Sequence, residues 1–395
     1  MKAFQTAVAA AAIFGTTAYA IDIKINDQES IKHAAASAAF NTMGNYTGNE
    51  TGQIPGAFPT KWWEGAALFE SMITYWHYTK DASNNAAVRQ GMNWQRGDNN
   101  DFMPANYSAY IGNDDQLAWG SAALTAAELN FLQDKGVPTW LEMAENVFND
   151  EIKRWDPRTC GGGLRWQIFP YQAGYAQKNA ATNGKLFQLA ARLAHFTGNE
   201  TYVDVANQAW DWSIKSHLLN TETWSVVDTI NSGKNCSLSG DVWSRNYGPY
   251  MSGAAVMYNV TNGDQKWKTG LVGLVNSTIS TFFPSKYGGN ILSEVNCEAK
   301  NNCDSNQKAL KGMLALDLAA TVRAAPLTVF RIWPKLQGSA VAAAKQCTGG
   351  NTHTVCGGRW YEPKWDGSDA FEDQLAATNI FVANLAVPKP GSGRH

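Results

Sequence analysis

Nothing in the charge balance of this chain favours a polyelectrolyte partner. Its 395 residues carry 32 Lys plus Arg against 34 Asp plus Glu, and charged residues make up only 17%. So balanced a chain has no global field with which to hold nucleic acid or an anionic membrane, and neither is expected as a partner. Familiar catalytic signatures are also missing. There is no G-x-S-x-G elbow, no H-E-x-x-H pair and no phosphate-cradling glycine loop; the glycines of Cys160-Gly161-Gly162-Gly163 match no such spacing. The six cysteines include no C-x-x-C pair and no His-rich cluster accompanies them, so neither a metal nor a cofactor is expected. Alternating β-branched segments joined by hairpin turns are absent too, which argues against an all-β fold.

Aromatic residues, by contrast, are plentiful at 12%, with 16 Trp. Most must fill a large core; the remainder suit a sugar groove, where an apolar ring meets the apolar face of a pyranose. Residues 1–20 read as a secretion signal: Lys2, an apolar stretch from Ala7 to Phe14, and Ala18-Tyr19-Ala20 as the small-x-small cleavage pattern. The apolar run is too short for a membrane span. Export agrees with an even cysteine count, for which short loop closures favour Cys297 with Cys303 and Cys347 with Cys356, leaving Cys160 with Cys236. It agrees also with seven N-x-S/T sequons, at Asn45, Asn49, Asn106, Asn199, Asn235, Asn259 and Asn276.

The mature chain reads as helices throughout. Leu186, Leu189, Ala190 and Leu193 repeat at i, i+3, i+4, i+7; Leu68, Met72, Tyr75 and Trp76 keep to one helical face at i, i+4, i+7, i+8, as do Leu117, Ala118, Ser121 and Leu124 at i, i+1, i+4, i+7. Three segments look like one turn used repeatedly at a helix end: Trp76 to Asp81, Ala194 to Asn199 and Tyr258 to Gly263. A fourth, at Asp134-Lys135-Gly136, completes a unit of roughly sixty residues, a helical hairpin with its connections. Helix starts are expected near Asp27, Thr60, Asn84, Asp115, Pro138, Asn179, Glu200, Tyr247, Gln265, Asn306, Pro326 and Ser368. Twelve helices in six hairpins predict an all-α (α/α)6 barrel over residues 21–387, a single domain followed by a flexible tail at 388–395; an open helical solenoid is the alternative. If the even-numbered helices form the inner ring, they run parallel and their N-terminal loops share one mouth. The odd polar clusters fall there: Trp62-Trp63-Glu64, Asn113-Asp114-Asp115, Lys178-Asn179 with Asn183, Arg245-Asn246-Tyr247, and Lys311.

The segment Ile111-Gly112-Asn113-Asp114-Asp115-Gln116-Leu117-Ala118-Trp119 is the focus for chemistry. A lone Asp-Asp pair is often a helix cap, with Asn113 or Asp114 accepting amide hydrogens. Placed at a shared mouth, the same pair suits glycosidic chemistry, which needs an acid and a nucleophile or base. Adjacent residues hold carboxyls at the short separation of a retaining enzyme more readily than at the wider gap of an inverting one. Close like charges cannot both ionise easily, so one pKa should rise. Trp62, Trp63, Trp119 and Trp166 are candidates to stack on sugars, Asn113, Asn179, Asn183 and Tyr247 to hydrogen-bond hydroxyls, and Glu64 and Lys311 to complete the site. Each has a packing reading as well; Glu64 and Lys311 alternatively form a buried ion pair.

At these residues the sequence resembles the fungal wall-assembly (Dfg/Dcw-type) members of the endo-α-1,6-mannanase family, glycoside hydrolase family 76. The resemblance rests on Trp62-Trp63-Glu64-Gly65, Asn113-Asp114-Asp115-Gln116, Cys160-Gly161-Gly162-Gly163-Leu164-Arg165-Trp166, the run Lys178 to Gly184, and Lys311-Gly312. It implies an (α/α)6 barrel and a retaining mechanism, with Asp114 as nucleophile and Asp115 as general acid/base. It implies as donor a mannose-containing glycan, either a GPI-anchor core or α-1,6-mannan, and wall glucan as acceptor in a transglycosylation. A plain mannan hydrolase and a catalytically silent wall lectin are the rival readings. The expected setting is the cell surface or wall, as a monomer. Members commonly end in a GPI-attachment tail; no long apolar stretch follows Pro388, which leaves either a removed tail or a soluble member.

Overall fold

The computed structural model describes residues 21–58 and 61–388; the expected signal segment and the expected tail beyond Pro388 lie outside the described residues, as does the expected helix start at Thr60. Among the described residues there are twelve α-helices: α1 Gln28–Met43, α2 Trp63–Thr79, α3 Asn85–Gln95, α4 Asn113–Glu128, α5 Trp140–Lys153, α6 Ala180–Thr197, α7 Glu200–Lys215, α8 Ser244–Val260, α9 Gln265–Phe282, α10 Ser305–Ala324, α11 Val329–Gln346 and α12 Phe371–Ala386. Every expected start lies within three residues of an observed one. Local caps set several of them. Asp27 accepts the Glu29 amide, Asn179 the Thr182 amide and Asn199 the Thr201 amide, while Thr139 with Glu142 and Asp304 with Gln307 form reciprocal capping boxes.

The even-numbered helices pack in the closed order α2, α4, α6, α8, α10, α12 and back to α2, so the array is a toroid and the open solenoid is excluded. Their residues show why they lie inside. In α12 every residue from Glu372 to Ala386 is buried, as expected of a helix enclosed on all sides. Helices α10 and α12 approach so closely that a Cβ on Gly312 would sit 2.5 Å from the Ala376 Cα. The odd helices form the outer ring with one-sided apolar faces: α3, α5, α7 and α9 pack on α2, α4, α6 and α8, the inner helices that precede them. Helix α1 packs mainly on α12. Thr42 and Thr378 share a hydroxyl hydrogen bond of 2.9 Å across that contact.

The repeated turn has a common chemistry. Thr79, Thr197 and Thr261 each donate a hydroxyl hydrogen to the carbonyl four residues back, on Tyr75, Leu193 and Met257. A left-handed residue then breaks each helix: Lys80, Gly198 and Asn262. The fourth instance is corrected: α4 already ends at Glu128, with left-handed Asn130 as its break, and Asp134-Lys135-Gly136 is a later bend in the connecting loop. The three disulfides pair as expected, Cys160–Cys236, Cys297–Cys303 and Cys347–Cys356. Small sheets dress the loops: β1 Gln177–Asn179, β2 Thr229–Asn231 and β3 Ser237–Ser239 in order, and β4 Cys347–Gly349 with β5 Val355–Cys356.

Candidate active site

The inner helices bring their first turns together at one end, and below that mouth polar side chains meet across the lumen. Arg192 of α6 donates to Glu128 at 2.8 Å and to Thr125 at 2.7 Å, and Thr125 donates to Glu70 of α2. Gln188 of α6 and Ser252 of α8 both donate to Asp317 of α10, at 2.6 and 2.9 Å. Five of the six inner helices are thus tied by one polar belt. Burial pushes the Asp317 carboxyl up to about 6, against the pull of Lys185.

Above this belt stand Asp114 and Asp115, in the first turn of α4. Gly112 ends the preceding loop in an extended conformation, and its amide donates to Asp115 Oδ2 at 2.8 Å. Asp114 Oδ1 accepts the amide of Asp115 at 3.2 Å. Both aspartates thus accept amide hydrogens at the helix start, as one of the two expected caps, Asp114, was to do; Asn113, the other, points away. Its side chain donates to the Arg165 carbonyl and accepts from Arg154. The loop after α5 braces this turn, since the Asn113 amide donates to the Trp166 carbonyl and Gly112 bridges to Gln167.

Electrostatics separate the two carboxyls. Burial raises both, but the cations Arg245 and Lys185 oppose the rise at Asp114. Asp115 is pushed up to about 8, first by burial and then by the charge of Asp114, with Arg245 a smaller offset. Asp114 is therefore the first to ionise and Asp115 the one that keeps its proton at neutral pH. Arg245 stands at the start of α8, 3.8 Å from Asp228, and Lys185 is half-buried one turn into α6. Sequence reasoning passed over Lys185, although a lone cation in the apolar run Gly184-Lys185-Leu186-Phe187 of an inner helix has only the lumen to face. Arg245 was visible only as part of a polar cluster.

Several other candidates are corrected by their burial. Trp119 is enclosed among Trp62, Phe69 and Phe102, and Trp62 itself lies buried between Trp119 and Tyr107, its indole N–H donating to Gln95 at 2.6 Å. These two rings are the floor of the α2–α4 seam and offer no face to a sugar. Tyr247 is buried edge-on to Phe282. Asn179 spends its side chain as the α6 cap. Asn183 accepts from the Leu164 amide and donates to the Leu164 carbonyl, which locks the glycine loop. Beside it, buried Lys178 donates to the carbonyls of Asp156, Thr159 and Gly162. The run Lys178 to Asn183 is thus an anchor for the loop that braces the Asp pair. Lys311 is an internal counter-ion, 2.8 Å from Glu298 and over the Trp360 ring. Glu64 is buried 3.2 Å from Lys61, so the expected Glu64–Lys311 pair does not form. Trp63 and Trp166 remain half-exposed near the mouth, although the Gly174 backbone covers part of the Trp166 ring.

Comparison with known proteins agrees with this architecture. Residues 30–393 match the family model of glycosyl hydrolase family 76. The mannan endo-1,6-α-mannosidase DCW1 of Saccharomyces cerevisiae is 38% identical over 376 residues, covering 94% of this chain and 82% of its own. The crystal structure of Dfg5 from Chaetomium thermophilum in complex with glucosamine superposes with a TM-score of 0.88 at 36% identity, over 92% of each chain. An α-1,6-mannanase of a Salegentibacter species shares the fold, with a TM-score of 0.70 at 16% identity over 90% of this chain and 99% of its own. That enzyme was solved with α-1,6-mannotriose as an inactive variant in which two adjacent aspartates are asparagine. With a family match spanning the toroid and close relatives along almost its whole length, this chain belongs to glycosyl hydrolase family 76.

Proposed function

We propose that the protein is a retaining glycosidase of α-1,6-linked mannosides, with Asp114 as nucleophile and Asp115 as general acid/base. The observation that carries this reading is the electrostatic split of the pair. An ionised Asp114 attacks the anomeric carbon while protonated Asp115 gives its proton to the departing glycosidic oxygen. The resulting glycosyl ester on Asp114 is then released when Asp115, now a base, takes a proton from the incoming hydroxyl. Substrate choice is supported by the relatives named as mannan endo-1,6-α-mannosidases.

The incoming hydroxyl belongs to water in hydrolysis and to a sugar in transfer. We favour transfer of a GPI-anchor core glycan to wall glucan, in keeping with the resemblance to wall-assembly members. A secreted, cell-surface setting is supported by three disulfides and by the exposure of all seven sequon asparagines. The test incubates the protein with α-1,6-mannotetraose, alone and with a β-glucan oligosaccharide. A retained anomeric configuration by NMR, a mass-shifted transfer product and loss of both in Asp114→Asn are expected. Free reducing sugar as the sole product refutes transfer, and an inverted product or an active Asp114→Asn refutes the mechanism.

A further inference from the structure

Beside the Asp pair the chain displays large rings that the chemistry leaves unused. Tyr110 is 80% and Tyr171 72% exposed, and Phe169 lies parallel to Tyr171 with ring centroids 5.4 Å apart and planes within 4°. Rings this exposed are usually scattered, as Phe40 and Phe330 are on the outer helices α1 and α11. Here Phe169 and Tyr171 are stacked and held, and the Tyr110 backbone is tied to the same loop. The Tyr171 hydroxyl donates to the Ala109 carbonyl at 3.0 Å. Gln172 donates to the Tyr110 carbonyl at 3.0 Å and accepts the Phe169 amide at 2.7 Å. Two loops are thereby stitched into one ledge, the same two that meet at Gly112 and Trp166.

We propose that Tyr110, Phe169 and Tyr171 form a stacking subsite for a neutral pyranoside of the glycan chain, one or more units away from the sugar that reacts. The proposal rests on the catalytic reading of Asp114 and Asp115. Three features support it. Tyr110 is only four residues before Asp114, so the two backbones are at most about 14 Å apart, a span that a short oligosaccharide bridges. The ledge is continuous with the loop segment that braces the pair. Its rings are preorganised: Tyr171 has spent its hydroxyl on the backbone, so stacking a sugar freezes little further motion. Flat apolar faces of this kind match the axial C–H face of a hexopyranose and select against an anionic ligand. The ledge takes over the role expected of Trp119 and Trp62, whose rings are buried, and of Trp166, which Gly174 partly covers.

The test compares α-1,6-mannobiose with α-1,6-mannotetraose. Tyr171→Ala and Tyr110→Ala should raise KM for the tetraose on the order of tenfold, the worth of one good ring contact, with kcat held and a much smaller effect on the biose. Tyr171→Phe keeps the ring but loses the tie to Ala109, so it should retain most of the affinity that Tyr171→Ala loses. Phe40→Ala and Phe330→Ala, equally exposed but remote, serve as controls with unchanged kinetics. Calorimetric titration of the same oligosaccharides into an Asp114→Asn background separates ledge from chemistry: chain-length-dependent binding that Tyr171→Ala removes upholds the ledge even where turnover fails. Equal losses on both lengths, no loss at all, or a Tyr171→Phe variant as impaired as Tyr171→Ala overturns it.

Discussion

Replacing Asp115 by Asn should stabilise the protein while silencing it, and the gain should depend on pH in a defined way. In the folded state burial and the neighbouring Asp114 push this carboxyl from 3.8 to about 8. At pH 7 the folded protein therefore keeps a proton that the unfolded chain has released. The sign follows from linkage: where the folded state binds more protons, stability falls as pH rises. The favourable contribution is complete below pH 4 and is lost progressively up to about 8. By pH 7 the loss reaches at most about 4 kcal/mol. Asp115 keeps some contact with solvent, and the realised figure should be nearer 1–2 kcal/mol. Asn keeps the carbonyl acceptor for the Gly112 amide and does not titrate, so it escapes this loss. Thermal melts at one fixed scan rate across pH 4–8 should show Asp115→Asn melting a few degrees above the parent at pH 7. The difference should vanish near pH 4, and glycosidase activity should be gone throughout. A difference that does not change with pH, or an Asn variant less stable at pH 7, refutes the account of the pair.

Two further perturbations address the surroundings of the pair. Removing the cation in Arg245→Gln takes away the largest opposition to the rise at Asp114, so the acid limb of the pH–rate profile should move to higher pH; a uniform fall in rate without that movement contradicts the assigned role. Reducing the Cys160–Cys236 link, as in Cys160→Ser with Cys236→Ser, frees a closure of 76 residues. Chain entropy values that at about 4.5 kcal/mol, to be read as a fall in the urea midpoint with activity still detectable below the transition, and a loss under about 1 kcal/mol rejects it.

The toroid was legible in the sequence because its signals are local and redundant. Periodicity marked Leu186, Leu189 and Leu193 as one face, caps such as Asp27 and Asn199 marked helix starts, and the order of odd and even helices then fixed which loops share the mouth. Direction was not legible. Asn179 and Asn183 stand at a mouth-side helix start as a ligand-binding residue would, but Asn179 turns back to cap its own helix, and Asn183, placed by the turn of about 100° per residue, faces the glycine loop. Trp119 and Tyr247 carry the composition of a sugar groove and the rotation of a core. Lys311 drew notice as a cation near the mouth, yet its partner Glu298 lies in a connecting segment with no periodic signal to place it. Tyr110 and Tyr171 escaped for the complementary reason: loops have no period at all, and only the stitching between them shows that the two loops lie side by side.

The packing of α1 on α12 has a bearing on when this protein becomes an enzyme. Each hairpin rests on the one made before it, except that the first helix waits for the last, across a separation of 336 residues between Thr42 and Thr378. A chain still being synthesised is therefore a crescent, with the inner flank of α2 bare and the lumen open to water along one side. The proton affinity of Asp115 comes chiefly from its burial. In the crescent it would revert toward an ordinary carboxyl, ionised and unable to act as an acid. Ring closure is thus also what should set the proton on Asp115, so the acid of the pair is expected only once the last inner helix is in place.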